Sequence, residues 1–80
     1  MIKDEVLTKV TDIFRDTLEN DDIVLSYDTT ANDIEEWDSL NHIMLVVAIE
    51  KALNIRFKSQ EIQEWNNVGD MLDCILMKNS

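Results

Sequence analysis

The sequence predicts an all-α fold: a four-helix bundle with a short third helix and a long first loop. Three observations predict it. Apolar residues recur at helical spacing over three separate stretches. The chain has no Pro and one Gly, so nothing inside those stretches breaks a helix. The one segment that passes for a strand, Ile23 to Tyr27, has no convincing second strand to pair with.

The first helix is set by Ile2, Val6, Val10, Ile13, Phe14, Thr17 and Leu18, with Asp4 and Glu5 complementing the dipole of its first turn. It ends near Leu18 to Asn20. From Asn20 to Trp37 the period fails, because Asp, Asn, Ser and Thr side chains compete for backbone hydrogen bonds. Ile23, Val24, Leu25, Tyr27 and Ile34 are the anchors expected to pin this loop to the core. Asp38 is a favoured N-cap and puts Ser39 at the first position of a second helix running to about Leu53. That helix carries two stripes. His42, Leu45, Val46, Ile49 and Leu53 form the expected core face. Leu40, Met44, Val47 and Lys51 form another, more apolar than a surface helix requires. After a turn at Asn54 to Phe57, Ser59 is expected to cap a short helix through Glu64. Asn67 caps the last, with Asp70 in capping-box position and Val68, Met71, Leu72, Ile75 and Leu76 as its buried stripe.

Eighty residues fit one small domain, expected over 1–80. A hydrophobic fraction of 45% is too high for an acidic disordered tail. One Cys, Cys74, excludes an internal disulfide and a Cys-based zinc site. The N-terminal residues mix charged and apolar side chains and do not read as a signal peptide, and the apolar run Ile43 to Ile49 is too short to span a bilayer. A cytoplasmic monomer is expected. The formal charge is −10, and residues 1–38 hold 12 of the 17 acids with only 3 bases. Such a surface repels phosphate backbones and anionic lipid, so nucleic acid and membranes are excluded as partners, whereas a basic protein patch is attracted.

Little in the chain builds a self-contained active site. A calcium loop starting at Asp21 has Ser26 at its sixth position and Asn32 at its twelfth; one starting at Asp28 has Asp33 and Ser39 there. Neither supplies the Gly and the bidentate Glu that such loops use. Ser39 and His42 share a helix face, but no oxyanion hole or Gly-rich phosphate loop accompanies them. Ser39 is distinctive by position. Its hydroxyl opens a helix after a long loop, where first-turn amides and the dipole favour an esterified phosphate, although Asp38-Ser39 taken alone is equally a plain helix start.

Asp33-Ile34-Glu35-Glu36-Trp37-Asp38-Ser39-Leu40, followed by the apolar helix Ile43 to Leu53, resembles the attachment region of acyl carrier proteins. The resemblance extends over nearly the whole chain, through the acidic charge, the long loop and the Asn67-Val68 helix start. It implies that Ser39 bears a covalent 4′-phosphopantetheine derived from coenzyme A, with Asp38 as the neighbouring helix cap. A holo-carrier synthase (phosphopantetheinyl transferase) would attach the arm with magnesium, and acyl-loading and acyl-transferring enzymes would use it. Leu40, Asn41, Met44, Val47, Glu50 and Lys51 would form the partner-recognition face. The chain would not itself be an enzyme.

Two departures separate it from the housekeeping fatty-acid pattern. Glu36-Trp37 replaces the small residues usual before the Asp-Ser-Leu, and Asn41, Met44 and Lys51 stand where acids are common. A carrier of an acyl or aminoacyl thioester for a fatty-acid-like, polyketide, nonribosomal peptide or glycan-modification pathway is the expectation, with a dedicated pathway favoured over the housekeeping one. Trp37 is expected to lock the loop by packing, and His42 to be a partly exposed structural residue. Trp65, Met71 and Met77 are expected as packing or tail residues, and Cys74 as a small core side chain. The alternative from another class is a non-covalent acidic helical adaptor that binds a basic partner through its second helix.

Overall fold

The computed structural model describes residues 2–79. Among them are four α-helices and no strand: α1 (Lys3–Thr17), α2 (Ser39–Leu53), α3 (Ser59–Gln63) and α4 (Val68–Asn79), with a 3-10 turn at Ala31–Asp33 inside the first loop. The helix α1 packs against both α2 and α4. One core joins them. Val6, Val10 and Phe14 of α1, Leu45 and Ile49 of α2, and Val68, Met71, Leu72 and Ile75 of α4 are wholly inaccessible to solvent. These are the positions at which the three- and four-residue spacing converges on one stripe per helix.

The ends of α1 differ from expectation in detail. Ile2 lies in extended conformation as the N-cap, without a side-chain cap. At the far end Glu19 adopts the left-handed conformation at φ 54°, and the Asn20 amide donates back to the Arg15 carbonyl at 3.0 Å. That is a Schellman closure made without glycine.

The first loop is pinned by more than its apolar side chains. Ile23, Leu25, Ile34 and Trp37 are buried, but Val24 is 77% exposed and Tyr27 lies at the surface. Burial alternates over Ile23, Val24 and Leu25, and Tyr27 lies in the turn that follows. Tyr27 instead meets polar partners on α1: its hydroxyl bonds Asp4, and the Lys3 ammonium lies 4.6 Å from its ring centre. Polar ties hold the loop elsewhere. Arg15 Nε donates to the Ile23 carbonyl at 2.7 Å, and the Ser26 amide donates to Oγ1 of buried Thr29 at 2.8 Å. The loop in turn caps α4, because the Thr29 and Tyr27 carbonyls accept from the Val68 and Gly69 amides at 2.8 Å each. A Cβ at Gly69 would stand 2.8 Å from the Tyr27 oxygen, so this close approach requires glycine.

Two caps differ from the expected ones. Ser59 is the first helical residue of α3 rather than its cap; Lys58 precedes it, and the Glu61 carboxylate accepts from the Lys58 amide at 2.8 Å. In α4, Asn67 Oδ1 accepts from the Asp70 amide as a cap does, but the Asp70 carboxylate reaches one residue further back, to the Asn66 amide. Cys74 is half-buried rather than in the core, with its thiol directed at Glu61 at 3.6 Å. Burial, followed by the Glu61 charge, pushes that thiol above its usual value.

Candidate functional site

The start of α2 is held from both sides. Asp38 has extended backbone, and its Oδ1 accepts from the Asn41 amide at 2.8 Å while its carbonyl accepts from the His42 amide at 2.8 Å. Two residues upstream, the Glu36 carbonyl accepts from the Asn41 side-chain amide at 2.7 Å, and the Glu36 carboxylate accepts from Asn20 at 2.7 Å. Trp37 lies between them, 8% exposed, with its ring edge-on to Phe14 at 4.9 Å. The loop therefore enters α2 rigidly, and Ser39 follows as the first helical residue with its side chain exposed. The first-turn amides of Ser39 and Leu40 have no intrahelical acceptor, as at any helix start.

Ser39 stands on the rim of a cleft of about 440 Å³. Trp37, His42 and Trp65 supply its aromatic lining, and Asn66 and Asn67 its polar side opposite Asp38. The Trp37 indole Nε1–H donates to His42 Nδ1 at 2.9 Å. This bond makes Nδ1 an acceptor, so neutral His42 carries its proton on Nε2. Half-burial against the rings pushes the imidazole below its ordinary value, because burial disfavours the charged form.

The expected recognition residues fall into two groups. Leu40, Met44 and Val47 are exposed, and Ile43 joins them; the four range from 42% to 69% exposed and form a continuous apolar band on α2. Lys51 borders this band at a groove shared with Thr17, Met44 and Val47. Asn41 and Glu50 are half-buried and engaged. Asn41 ties back to Glu36, and Glu50 Oε2 accepts from the Phe57 amide at 2.8 Å, shaping the turn after α2. Ile43 belonged to neither expected stripe, although its place one turn from Val47 and three residues from Leu40 put it on the same face. His42, Trp65 and Asn66 become neighbours only when the bundle closes, which no local spacing signals.

A family model described as the phosphopantetheine attachment site matches residues 8–75. The chain belongs to the acyl carrier protein family. It is 28% identical over 78 residues to an acyl carrier protein of Petrotoga mobilis, covering 98% of this chain and 92% of that one. It also resembles the solution structure of a holo acyl carrier protein from Geobacter metallireducens, with a TM-score of 0.87 and 44% identity, over 91% of this chain and 84% of that one. An acyl carrier protein is a carrier rather than an enzyme, and its prosthetic group is phosphopantetheine. The start of α2 fits such a group on three counts: an exposed primary hydroxyl, first-turn amides beside it, and an adjoining apolar cleft. Among the described residues, no three metal-ligating side chains gather, and no helix is long and apolar enough to cross a membrane.

Proposed function

We infer that Ser39 is the attachment residue and that the protein is a cytoplasmic carrier dedicated to one biosynthetic pathway rather than to general fatty-acid synthesis. The observation that carries the first part is the exposed Ser39 hydroxyl at the first position of α2, behind the Asp38 cap, inside the segment matched by the attachment-site family. In the loading reaction the Ser39 hydroxyl loses its proton and its oxygen displaces 3′,5′-adenosine bisphosphate from coenzyme A. One phosphodiester forms as the pyrophosphate bond breaks. When bound, the group supplies a terminal thiol that holds acyl or aminoacyl cargo as a thioester. Asp38 keeps the helix start fixed for the transferase, and the flexible tether raises the effective concentration of cargo at a docked enzyme.

The dedicated role rests on the character of α2. The face that partner enzymes are proposed to read is an apolar band of Leu40, Ile43, Met44 and Val47 bordered by Lys51, with no carboxylate among these five residues. A partner with a basic docking patch gains little charge attraction there, whereas an apolar docking groove gains buried area. The cargo belongs to polyketide, nonribosomal-peptide or glycan-modifying chemistry in this proposal. The test is incubation with coenzyme A, magnesium and a broad-specificity phosphopantetheinyl transferase, followed by intact mass. The parent chain gains one phosphopantetheine and Ser39→Ala gains none. An unchanged mass in folded, initially unmodified parent protein would overturn the assignment.

A further inference from the structure

The two ends of the first loop are joined by a relay of hydrogen bonds that runs from α1 to the residues around Ser39. At the α1 end, the Asn20 amide closes the helix on the Arg15 carbonyl at 3.0 Å, and the Asn20 side-chain oxygen accepts from the Asp22 amide at 3.0 Å. The Asn20 side-chain nitrogen donates to the Glu36 carboxylate, sixteen residues away, at 2.7 Å. Glu36 passes the tie on through its own carbonyl, which accepts from the Asn41 side chain at 2.7 Å and from the Asp38 amide at 3.1 Å. The Asn41 backbone amide completes the circuit on Asp38 Oδ1 at 2.8 Å. Asn20, Glu36 and Asn41 are half-buried, whereas Ser39, bracketed between Asp38 and Asn41, is exposed. Each residue type is set by its partner. A carboxylate and a carbonyl only accept, so Asn20 and Asn41 must both present their NH2 groups to Glu36. A carboxylate side chain at position 41, as in the housekeeping pattern, has no proton to give. With a carboxylate as acceptor, the Asn20–Glu36 bond is of the stronger, charge-assisted kind.

We propose that Asn20, Glu36 and Asn41 are positioning residues for phosphopantetheine attachment, holding the first turn of α2 in a fixed place relative to α1 so that the Ser39 oxygen meets the phosphorus in line with its leaving group. The inference rests on Ser39 being the attachment residue. A hydroxyl on the first helical residue takes its position from the backbone that leads into it, and here that backbone arrives from a long loop. The relay closes this loop at its neck and fastens both sides of Ser39 to the end of α1. The precision matters, because a misplacement of about 1 Å between reacting atoms can cost on the order of 100-fold in rate. None of the three residues belongs to the exposed band of Leu40, Ile43, Met44 and Val47. Loss of the relay therefore acts on the transfer step and leaves docking through that band in place.

Loading by a broad-specificity phosphopantetheinyl transferase with coenzyme A and magnesium is followed by intact mass, varying the carrier concentration to separate kcat from KM. Asn20→Asp sets a carboxylate against Glu36. Asn41→Ala removes the second donor while favouring the helix, since Ala is the best helix former. For both, kcat is expected to fall about tenfold or more while KM stays within about twofold of the parent. In the chain carrying Asn20→Asp together with Glu36→Gln, donor and acceptor change places, and kcat is expected to return towards the parent value. Circular dichroism and urea midpoints establish which variants are folded at the assay temperature, and Asn41→Ala carries the test where Asn20→Asp is not. Parent-like kcat in folded Asn41→Ala, a change in KM alone, or a double variant no faster than folded Asn20→Asp would overturn the positioning role and leave the attachment site standing. A parent chain that does not load overturns the attachment residue itself.

Discussion

Asp38 occupies the position on which the most geometry depends. Its carboxylate satisfies a first-turn amide, and its backbone fixes where Ser39 emerges. Asp38→Ala is expected to cost about 1 kcal/mol of folding stability, the usual worth of an N-cap, seen as a lower urea midpoint at unchanged slope. Gly69 is constrained for a different reason. A methyl group there meets the Tyr27 carbonyl, which already accepts the Gly69 amide, so Gly69→Ala displaces the first loop from α4. A loss of about 1–3 kcal/mol is expected, and an unchanged midpoint would contradict the close approach. His42 links stability to pH. Its folded value lies below the usual 6.5, so the native state binds fewer protons than the unfolded chain. Its contribution is therefore fully present above pH 6.5 and lost as pH falls from there through the lowered folded value. Urea titrations of the parent and of His42→Gln from pH 7.5 to 5 are expected to show the steeper loss in the parent; parallel curves would remove His42 from the account.

Among the elements, α1 and α4 are the ones whose burial was legible beforehand. Val6, Val10 and Phe14, like Val68, Met71, Leu72 and Ile75, follow one stripe each, and burial of that stripe is what periodicity encodes. The second helix was legible in part. Its core residues and its Asp38 cap were readable, but Ile43 was not assigned to the exposed band, because an apolar residue on a helix that is apolar on two faces has no polar neighbour to mark its side. The loop was hardest to read. Val24 and Tyr27 look like anchors by composition, yet Val24 faces outward between buried Ile23 and Leu25, and Tyr27 lies at the surface in the turn that follows. Ser59 looks like a cap by residue type, yet Glu61 reaching the Lys58 amide starts α3 one residue earlier. The cleft was illegible, since Trp37, His42 and Trp65 meet only through tertiary packing. The exposed band on α2 carries its own prediction. Met44→Asp is expected to leave stability within about 0.5 kcal/mol, as for an exposed helix position, and to lower kcat/KM for docking enzymes by tenfold or more. Equal loading and acylation kinetics in parent and variant would place docking elsewhere.

At the scale of the whole molecule, a charge of −10 on 80 residues opposes compaction. Lys3 pairs with Asp73 at 3.0 Å and Lys78 with Glu61 at 2.8 Å, but 7 basic side chains cannot neutralise 17 acidic ones, so self-repulsion persists in the fold. Screening is then expected to stabilise: the Tm rises between low salt and about 0.5 M NaCl, where the screening length falls well below 10 Å. A falling Tm would mean that the ion pairs outweigh the repulsion. The same excess of acid is concentrated in residues 1–38, and the exposed band of Leu40, Ile43, Met44 and Val47 on α2 carries none of it. The proposed function turns on one covalent bond at the Ser39 hydroxyl. The most direct test is fragmentation mass spectrometry of the loaded chain, which assigns the phosphodiester among its serines. The phosphopantetheine is expected on Ser39, in the peptide containing Trp37-Asp38-Ser39-Leu40; a group on Ser26, Ser59 or Ser80 instead would contradict the account.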